Sequence, residues 1–500
     1  MRSPRRPRGT AAAVAGSALA LAACTTEAGD AGLAAPTDDG SSSVTLRVWD
    51  AAAARAYAES FDAFMTEQPD IRVEVEVVPR AEYWDRVESD LAAGEMADLF
   101  WADGAGYARY AEEGALVDVG AALGDEHDEW VGAVTDLFSR DGTVWGVPQL
   151  WDPVALYYDE EMVGSAGVDV EELAWSPDGT TTGAGESGTD GDDAAEDVAA
   201  QDDDSAGEDP AQDDDSAGED PAQDGDAAGE DQTADAEPAA ADDTLLDAAR
   251  ALTTDSSGRR ADEDGFNPAA PATYGFDAQG DLLAVAGSFL AQNDAALMAE
   301  GEFAFATERG EQTFGYLVDM VTQHRTAPPV VAGGPSAVDL FTAGRLALLQ
   351  SGATDLRTVA ESARGPWALA PLVAGPEGRV AVVDGVAAVG NAATEDEGAA
   401  VAVLRWLGSA DGQAALAGQG VAPPAAVGAT DAFVEHWSDQ GVDVRPFFEV
   451  DAAVPAPSGP RIRAGLAALT PVLGEMYVGL APVPAALVRA QDAANTAMEP

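Results

Sequence analysis

Among the tryptophans of this sequence that stand beside carboxylates, three fall at strand ends or between two prolines: Trp49 next to Asp50, Trp101 two residues before Asp103, and Trp151 next to Asp152. An indole face beside an acceptor-only carboxylate suits a polar ring. The face stacks on the ring's apolar side, and the acid accepts hydrogen bonds from its hydroxyls. Each pair taken singly also fits a core tryptophan followed by a turn acid. Other reactive chemistry is scarce. There is no G-x-S-x-G, H-E-x-x-H or C-x-x-C string, and a chain without lysine has no Walker lysine. His127, His324 and His436 are scattered with no metal-ligand spacing, so neither a metal nor a cofactor is expected. GAGESG at 183–188 has the glycines of a dinucleotide loop but follows no strand pattern. Abundant acids leave glycoside hydrolysis by a carboxylate pair open, although no eightfold strand–helix repeat accompanies them.

The elements that must carry the three pairs read as alternating strands and helices. Residues 44–49 and 71–77 alternate apolar and polar side chains, while 53–68 places Tyr57, Phe61, Phe64 and Met65 on one helical face. A helix over 81–93, a strand over 98–101 and a short helix over 107–113 follow. This order predicts right-handed crossovers and a parallel sheet with helices on both faces, an α/β class. Ligands of such sheets sit beyond the carboxyl ends of strands, where Trp49–Asp50 and Trp101–Asp103 fall. Residues 143–147 read as a half-buried strand. Pro148 should limit further pairing and Pro153 interrupts again, so 149–152 is expected to be a short stiff crossing ahead of the apolar run 154–158. Later patterns predict helices over 282–292, 310–322, 395–407, 411–417 (capped by Asp411), 461–478 and 484–497, and strands over 368–373 and 380–390.

The string DGTVWGVPQLWDPVALYYDEEMVGSAGV, residues 141–168, resembles the central signature of the family 1 extracellular solute-binding proteins of bacterial ABC importers, the maltose-binding-like group. DLFWADGAGYARYAEEGALVDV (98–119) and AVDLFTAGRLALLQSG (337–352) are similar to further segments of that family. The resemblance implies a two-lobed, periplasmic-binding-protein-like α/β fold, each lobe a sheet flanked by helices. Lobe I would hold 44–150 and 380–424 and lobe II 151–376 and 430–500, with crossings near 151–153, 376–384 and 424–430. It further implies a monomer that captures a sugar, oligosaccharide or polyol by lobe closure and hands it to the importer's permease, without catalysis. Trp49, Asp50, Trp101, Asp103 and Asp384 would line the first lobe, Trp151, Asp152 and Tyr157 the floor, and Asn293, Ser351 and Thr354 the second lobe. On this reading Trp101→Ala and Asp152→Ala each weaken binding and leave the fold intact. The chain departs from the family where Ala353-Thr354 replaces an aromatic and where Arg461 stands at a common tryptophan position. A smaller sugar, or an anionic ligand met by Arg461, is then open, as is Arg461 merely pairing with a surface acid.

The N-terminus and one internal stretch are different material. Arg2, Arg5, Arg6 and Arg8 precede an Ala/Val/Leu run, which predicts a signal peptide over 1–23. Leu-Ala-Ala-Cys ending at Cys24, the single cysteine, resembles the lipobox of bacterial lipoproteins. It implies a lipid anchor at Cys24 on the outer membrane face, with 24–43 as a flexible tether. Residues 177–243 hold 25 acids and no base, with AQDDDSAGEDP at 200–210, repeated at 211–221 and degraded at 222–232. Massed like charge with few apolar groups predicts a disordered insertion in lobe II. Asp202, Asp204 and Gly207 only partly imitate a calcium loop. An acidic lipoprotein holding cations or partners through this segment is a further reading. The 90 acids against 25 bases leave a net charge of −65, which repels nucleic acid and anionic lipid. Adaptation to high salt is one source of such acidity and a GC-rich genome another.

Overall fold

The computed structural model describes residues 41–124, 129–177, 243–279, 281–329 and 333–499. The signal sequence, Cys24, the tether up to residue 40, the acidic repeats and His127 lie outside the described residues, while Ser42 and Ser43, expected in the tether, open the first strand.

Strand β1 (Ser42–Val48) buries Val44, Leu46 and Val48 on alternate positions, and Asp50 then caps the helix Ala51–Glu67 by accepting from the amides of Ala52 and Ala53 at 2.8 and 2.7 Å. That helix turns Tyr57, Phe61 and Phe64 inward, which folds the chain back over the sheet. β2 (Ile71–Val77) and, after the helix Arg80–Ala93, β3 (Leu99–Asp103) each pair parallel to β1. A hairpin of β4 (Ser139–Arg140) and β5 (Thr143–Val144) leads into β6 (Val147–Asp152), and Pro153 separates β6 from β7 (Val154–Asp159). The second lobe adds β8 (Thr254–Asp255), β9 (Pro271–Phe276), a hairpin of β10 (Met298–Ala299) and β11 (Glu302–Phe303), β12 (Leu346–Gly352) and β13 (Trp367–Ala370). β14 (Val380–Gly390) and β15 (Ala452–Pro455) complete the strands.

Two main sheets result, sharing no strand. The first has the order β15-β14-β3-β1-β2 with β6 also on β14; the second runs β13-β7-β12-β9-β8. Each has its own core: Leu46, Phe61, Trp101 and Leu404 belong to the first, and Leu156, Trp175, Phe289 and Leu469 to the second. A third apolar group, including Tyr157, Phe341, Phe433 and Phe447, covers the other face of the second sheet.

Several sequence expectations change here. Residues 147–152 form a strand rather than a bare crossing, and Pro148 sits inside it. Its missing amide is absorbed by a shift of register, with Pro148 opposite Ala387 and Leu150 opposite Val386, so Gln149 is the extra residue of a bulge. The Gln149 amide turns inward, accepts from the Tyr57 hydroxyl at 2.8 Å and donates to the Leu407 carbonyl at 2.9 Å. Residues 452–455, expected in lobe II, pair with 380–383 in the first sheet, because β6 covers only the later part of β14 and the earlier backbone groups need a partner. The chain therefore visits the first lobe once more before the helix Ile462–Tyr477 joins the second core. The helix Ala410–Gly418 is capped by Ser409, which accepts from Gly412 N at 3.0 Å, and not by Asp411. The 282–292 helix opens with a turn of π-helix, Leu282–Gly287.

Candidate functional site

A cavity of about 510 Å³ opens between the sheets, beyond the carboxyl ends of β1, β3 and β6. All three aromatic–acid pairs reach it, joined by Asp384 from β14 and Thr354 from the second lobe. A larger hollow of about 980 Å³ lies between the 261–268 loop and residues 322–325. No residue of the first sheet lines that hollow, so lobe movement would not reshape it.

The tryptophans serve different ends. Trp49 is half-buried and meets Tyr83 and Trp101 edge-on at 5.0 and 4.9 Å, while the guanidinium of Arg80 lies over its ring at 4.7 Å. Trp101 is only 1% exposed. Its Nε1 donates to the Tyr57 hydroxyl at 3.0 Å, which in turn donates to Gln149, so this indole belongs to the wall's buried framework. Trp151 packs at 5.9 Å against Phe448, and its Nε1–H has no partner among the described residues.

The acids differ as well. Asp50 is committed to its helix amides. Buried Asp103 receives Arg463 Nη2 at 2.5 and 2.7 Å, with Arg80 at 3.7 Å. Arg463 comes from the second lobe and also lies over the Trp84 ring at 4.5 Å, so this ion pair spans the cleft. Asp152 is the second bridge: it accepts from Thr354 N at 2.8 Å and Thr354 Oγ1 at 2.9 Å. Burial pushes the Asp152 carboxyl up to about 7, the Thr354 hydrogen bonds pull it back, and the nearby Asp384 adds a smaller upward push. Asp384, opposite Asp152 on the neighbouring strand, is pushed up to about 6, again by burial first. Gly352 makes the approach possible, since a Cβ there would stand 2.3 Å from Asp152 Oδ2.

Three expected site residues lie elsewhere. Tyr157 shares its strand face with Ala155, is wholly buried in the third apolar group, and donates to the Gly352 carbonyl at 2.8 Å. Asn293 is also fully buried; it ends the helix Ser288–Gln292 and donates to Arg309 O at 3.0 Å. Ser351 donates to Asp355 at 2.6 Å and is absent from the cavity lining. Arg461 binds the Glu499 carbonyl on the surface. It is Arg463, two residues on and roughly 200° around the helix, that faces the cleft. Arg80, Arg357 and Thr358 also line the cavity and were missed. Arg80 carried a usable signal, since it opens the helix following β2.

His324 lies 3.2 Å from Arg250, with burial the main cause lowering its pKa, and His436 contacts Gly418 O at 2.8 Å. Among the described residues no group of three or more His, Cys, Asp or Glu could hold a metal ion, and no helix is long and apolar enough to cross a membrane.

The sequence matches the model of the bacterial extracellular solute-binding protein family over residues 59–439, most of the chain. The chain belongs to that family. Among solved structures of the fold, M. tuberculosis UspC is 32% identical, with a TM-score of 0.71 over 91% of this chain and 100% of UspC. The cyclic alpha-maltosyl-1,6-maltose binding protein of Arthrobacter globiformis is 17% identical, with a TM-score of 0.66 over 92% of this chain and 99% of its own. GacH of Streptomyces glaucescens, solved unliganded and with acarbose, is 17% identical, with a TM-score of 0.62 over 92% of this chain and 98% of its own. No curated protein matches the sequence. Family members bind solutes outside the cytoplasm, and their two-lobed architecture is the one described above.

Proposed function

We propose that this protein is the carbohydrate-capturing component of an ABC importer, gripping its ligand between the lobes and handing it to the permease unaltered. The carrying observation is the convergence of both lobes on one cavity. Trp49 and Trp151 offer indole surface, Asp152 and Asp384 offer carboxyl groups, and Thr354 and Thr358 offer hydroxyls from the opposite side. Alternating apolar planes and hydrogen-bonding groups match a sugar, whose ring faces are apolar and whose rim is hydroxylated. Contacts made from both lobes favour the closed arrangement, which the permease then recognises. The carbohydrate named for the Arthrobacter protein and the acarbose bound by GacH agree with this class of ligand.

Hydrolysis is disfavoured on geometry. Asp152 and Asp384 oppose one another on adjacent strands and so address a ligand from one wall, whereas glycosidases place their carboxyl groups on either side of the scissile bond. Export by the signal at 1–23 and lipidation at Cys24 would hold a monomer at the outer membrane face, within reach of its permease. A thermal-shift screen of the full chain against sugars, polyols and oligosaccharides tests capture. Stabilisation by at least one of them, with the sugar recovered unchanged, is expected; no shift with any, or conversion of the sugar, refutes it. Membrane fractionation of Cys24→Ser tests the anchor, which predicts release into the soluble fraction.

A further inference from the structure

A second cavity, about 380 Å³, adjoins the first, and Arg357 and Val421 line both. It lies between the helix Ala51–Glu67 of the first lobe and the helix Leu356–Ser362 of the second. Arg55 enters it from the first helix and Arg357 from the second. Neither guanidinium has an ion pair or hydrogen bond among the described residues, whereas Arg47, Arg80 and Arg463 nearby are all matched to acids. Trp437, 4% exposed, lines the same cavity, and its Nε1–H is also without a partner.

In a chain of net charge −65, two unmatched guanidinium groups meet on one cavity from opposing lobes. Arg357 is half-buried, so it gives up hydration that an anion would restore, while Arg55 opposite is exposed; a guanidinium fork fits carboxylate, phosphate or sulfate oxygens two at a time. Glu361 is the one acid on the lining, so one negative group faces two positive ones. We propose that this second cavity is an anion subsite: an acidic substituent on the captured carbohydrate sits between Arg55 and Arg357, with the Trp437 indole as a further donor. The ligand class is thereby an acidic sugar, a uronate or a phosphorylated or sulfated one. This rests on the carbohydrate reading above, and it moves the anion contact from Arg461 to the interior of the cleft.

Titration calorimetry of the full chain with glucose, glucuronic acid, glucose 6-phosphate and inorganic sulfate separates the two. At least one acidic sugar should bind about 10-fold or more tightly than glucose, with the advantage shrinking as sodium chloride rises. The two acidic sugars distinguish carboxylate from phosphate recognition. Arg55→Gln and Arg357→Gln should each reduce the acid-to-neutral affinity ratio about 10-fold while the ligand-free melting temperature holds. Equal affinities, or a preference that survives both substitutions, overturns the subsite and leaves carbohydrate capture standing. Arg357-dependent sulfate binding with neither acidic sugar bound overturns the acidic-sugar assignment and leaves carbohydrate capture to the wider screen. Binding of none of the four overturns the subsite, and carbohydrate capture falls with it only if the wider screen of sugars, polyols and oligosaccharides is also blank.

Discussion

Asp152 makes a quantitative prediction about pH. Burial holds its proton to about pH 7 in the folded protein, while the unfolded chain releases it near the ordinary carboxylate value of 3.8. Between these values the folded state binds more protons than the unfolded state, so this group's contribution to stability is fully present below 3.8 and is lost as pH rises through 7. From pH 4.5 to 8 the difference amounts to at most roughly 3 kcal/mol, at about 1.4 kcal/mol per unit. The cavity-facing carboxyl will realise less than that. Asp152→Asn keeps an oxygen to accept from the Thr354 amide but cannot ionise. Urea denaturation of both proteins at fixed ionic strength, followed by circular dichroism, should therefore show the variant gaining on the parent as pH increases. The many surface acids titrate equally in both proteins and cancel. Asp384, pushed up to about 6, titrates in an overlapping window, and Asp152→Asn/Asp384→Asn should remove a further part of the dependence. A stability difference that ignores pH, or one moving toward the parent at high pH, refutes a buried, proton-holding Asp152.

Gly352→Ala should cost about 1–3 kcal/mol by driving a methyl group into the Asp152 carboxyl, and Asp152→Ala in the same chain should relieve part of it; additive losses would place the clash elsewhere. Trp101→Ala removes a wholly buried indole and should lower stability by about 3–5 kcal/mol in denaturation, so the sequence-based expectation of an intact fold is replaced; Trp49→Ala, at the half-buried edge, should cost clearly less. Arg463→Ala breaks the ion pair across the cleft and should broaden the inter-lobe distance distribution measured between spin labels, with Arg463→Asp/Asp103→Arg narrowing it again. Identical distributions in the parent and Arg463→Ala would deny that pair any part in holding the lobes.

The periodicities alone determined most of the first lobe. Apolar alternation in 44–48 and 71–77, and the helical face of Tyr57, Phe61 and Phe64, depend on neighbours within a few residues, and these elements stand where the pattern put them. The three aromatic–acid pairs were visible for the same reason, since strand ends converge on one edge of an α/β sheet. Which side chains meet across the cleft is set by contacts hundreds of residues apart, and local pattern carries no trace of those. Arg463 rather than Arg461 reaches Asp103 because of helix phase. Tyr157 shares the Ala155 face of β7 and enters the third apolar group, while Asp152, five residues earlier at the end of β6, faces the cavity. A four-residue strand at 452–455 is too short to announce which sheet it joins; only the open backbone of β14 decided that. The sequence thus carried the first-lobe elements and the chemistry on offer. Tertiary packing alone determined which of those groups remain free to hold a ligand, because burial and pairing are properties of the assembled interior.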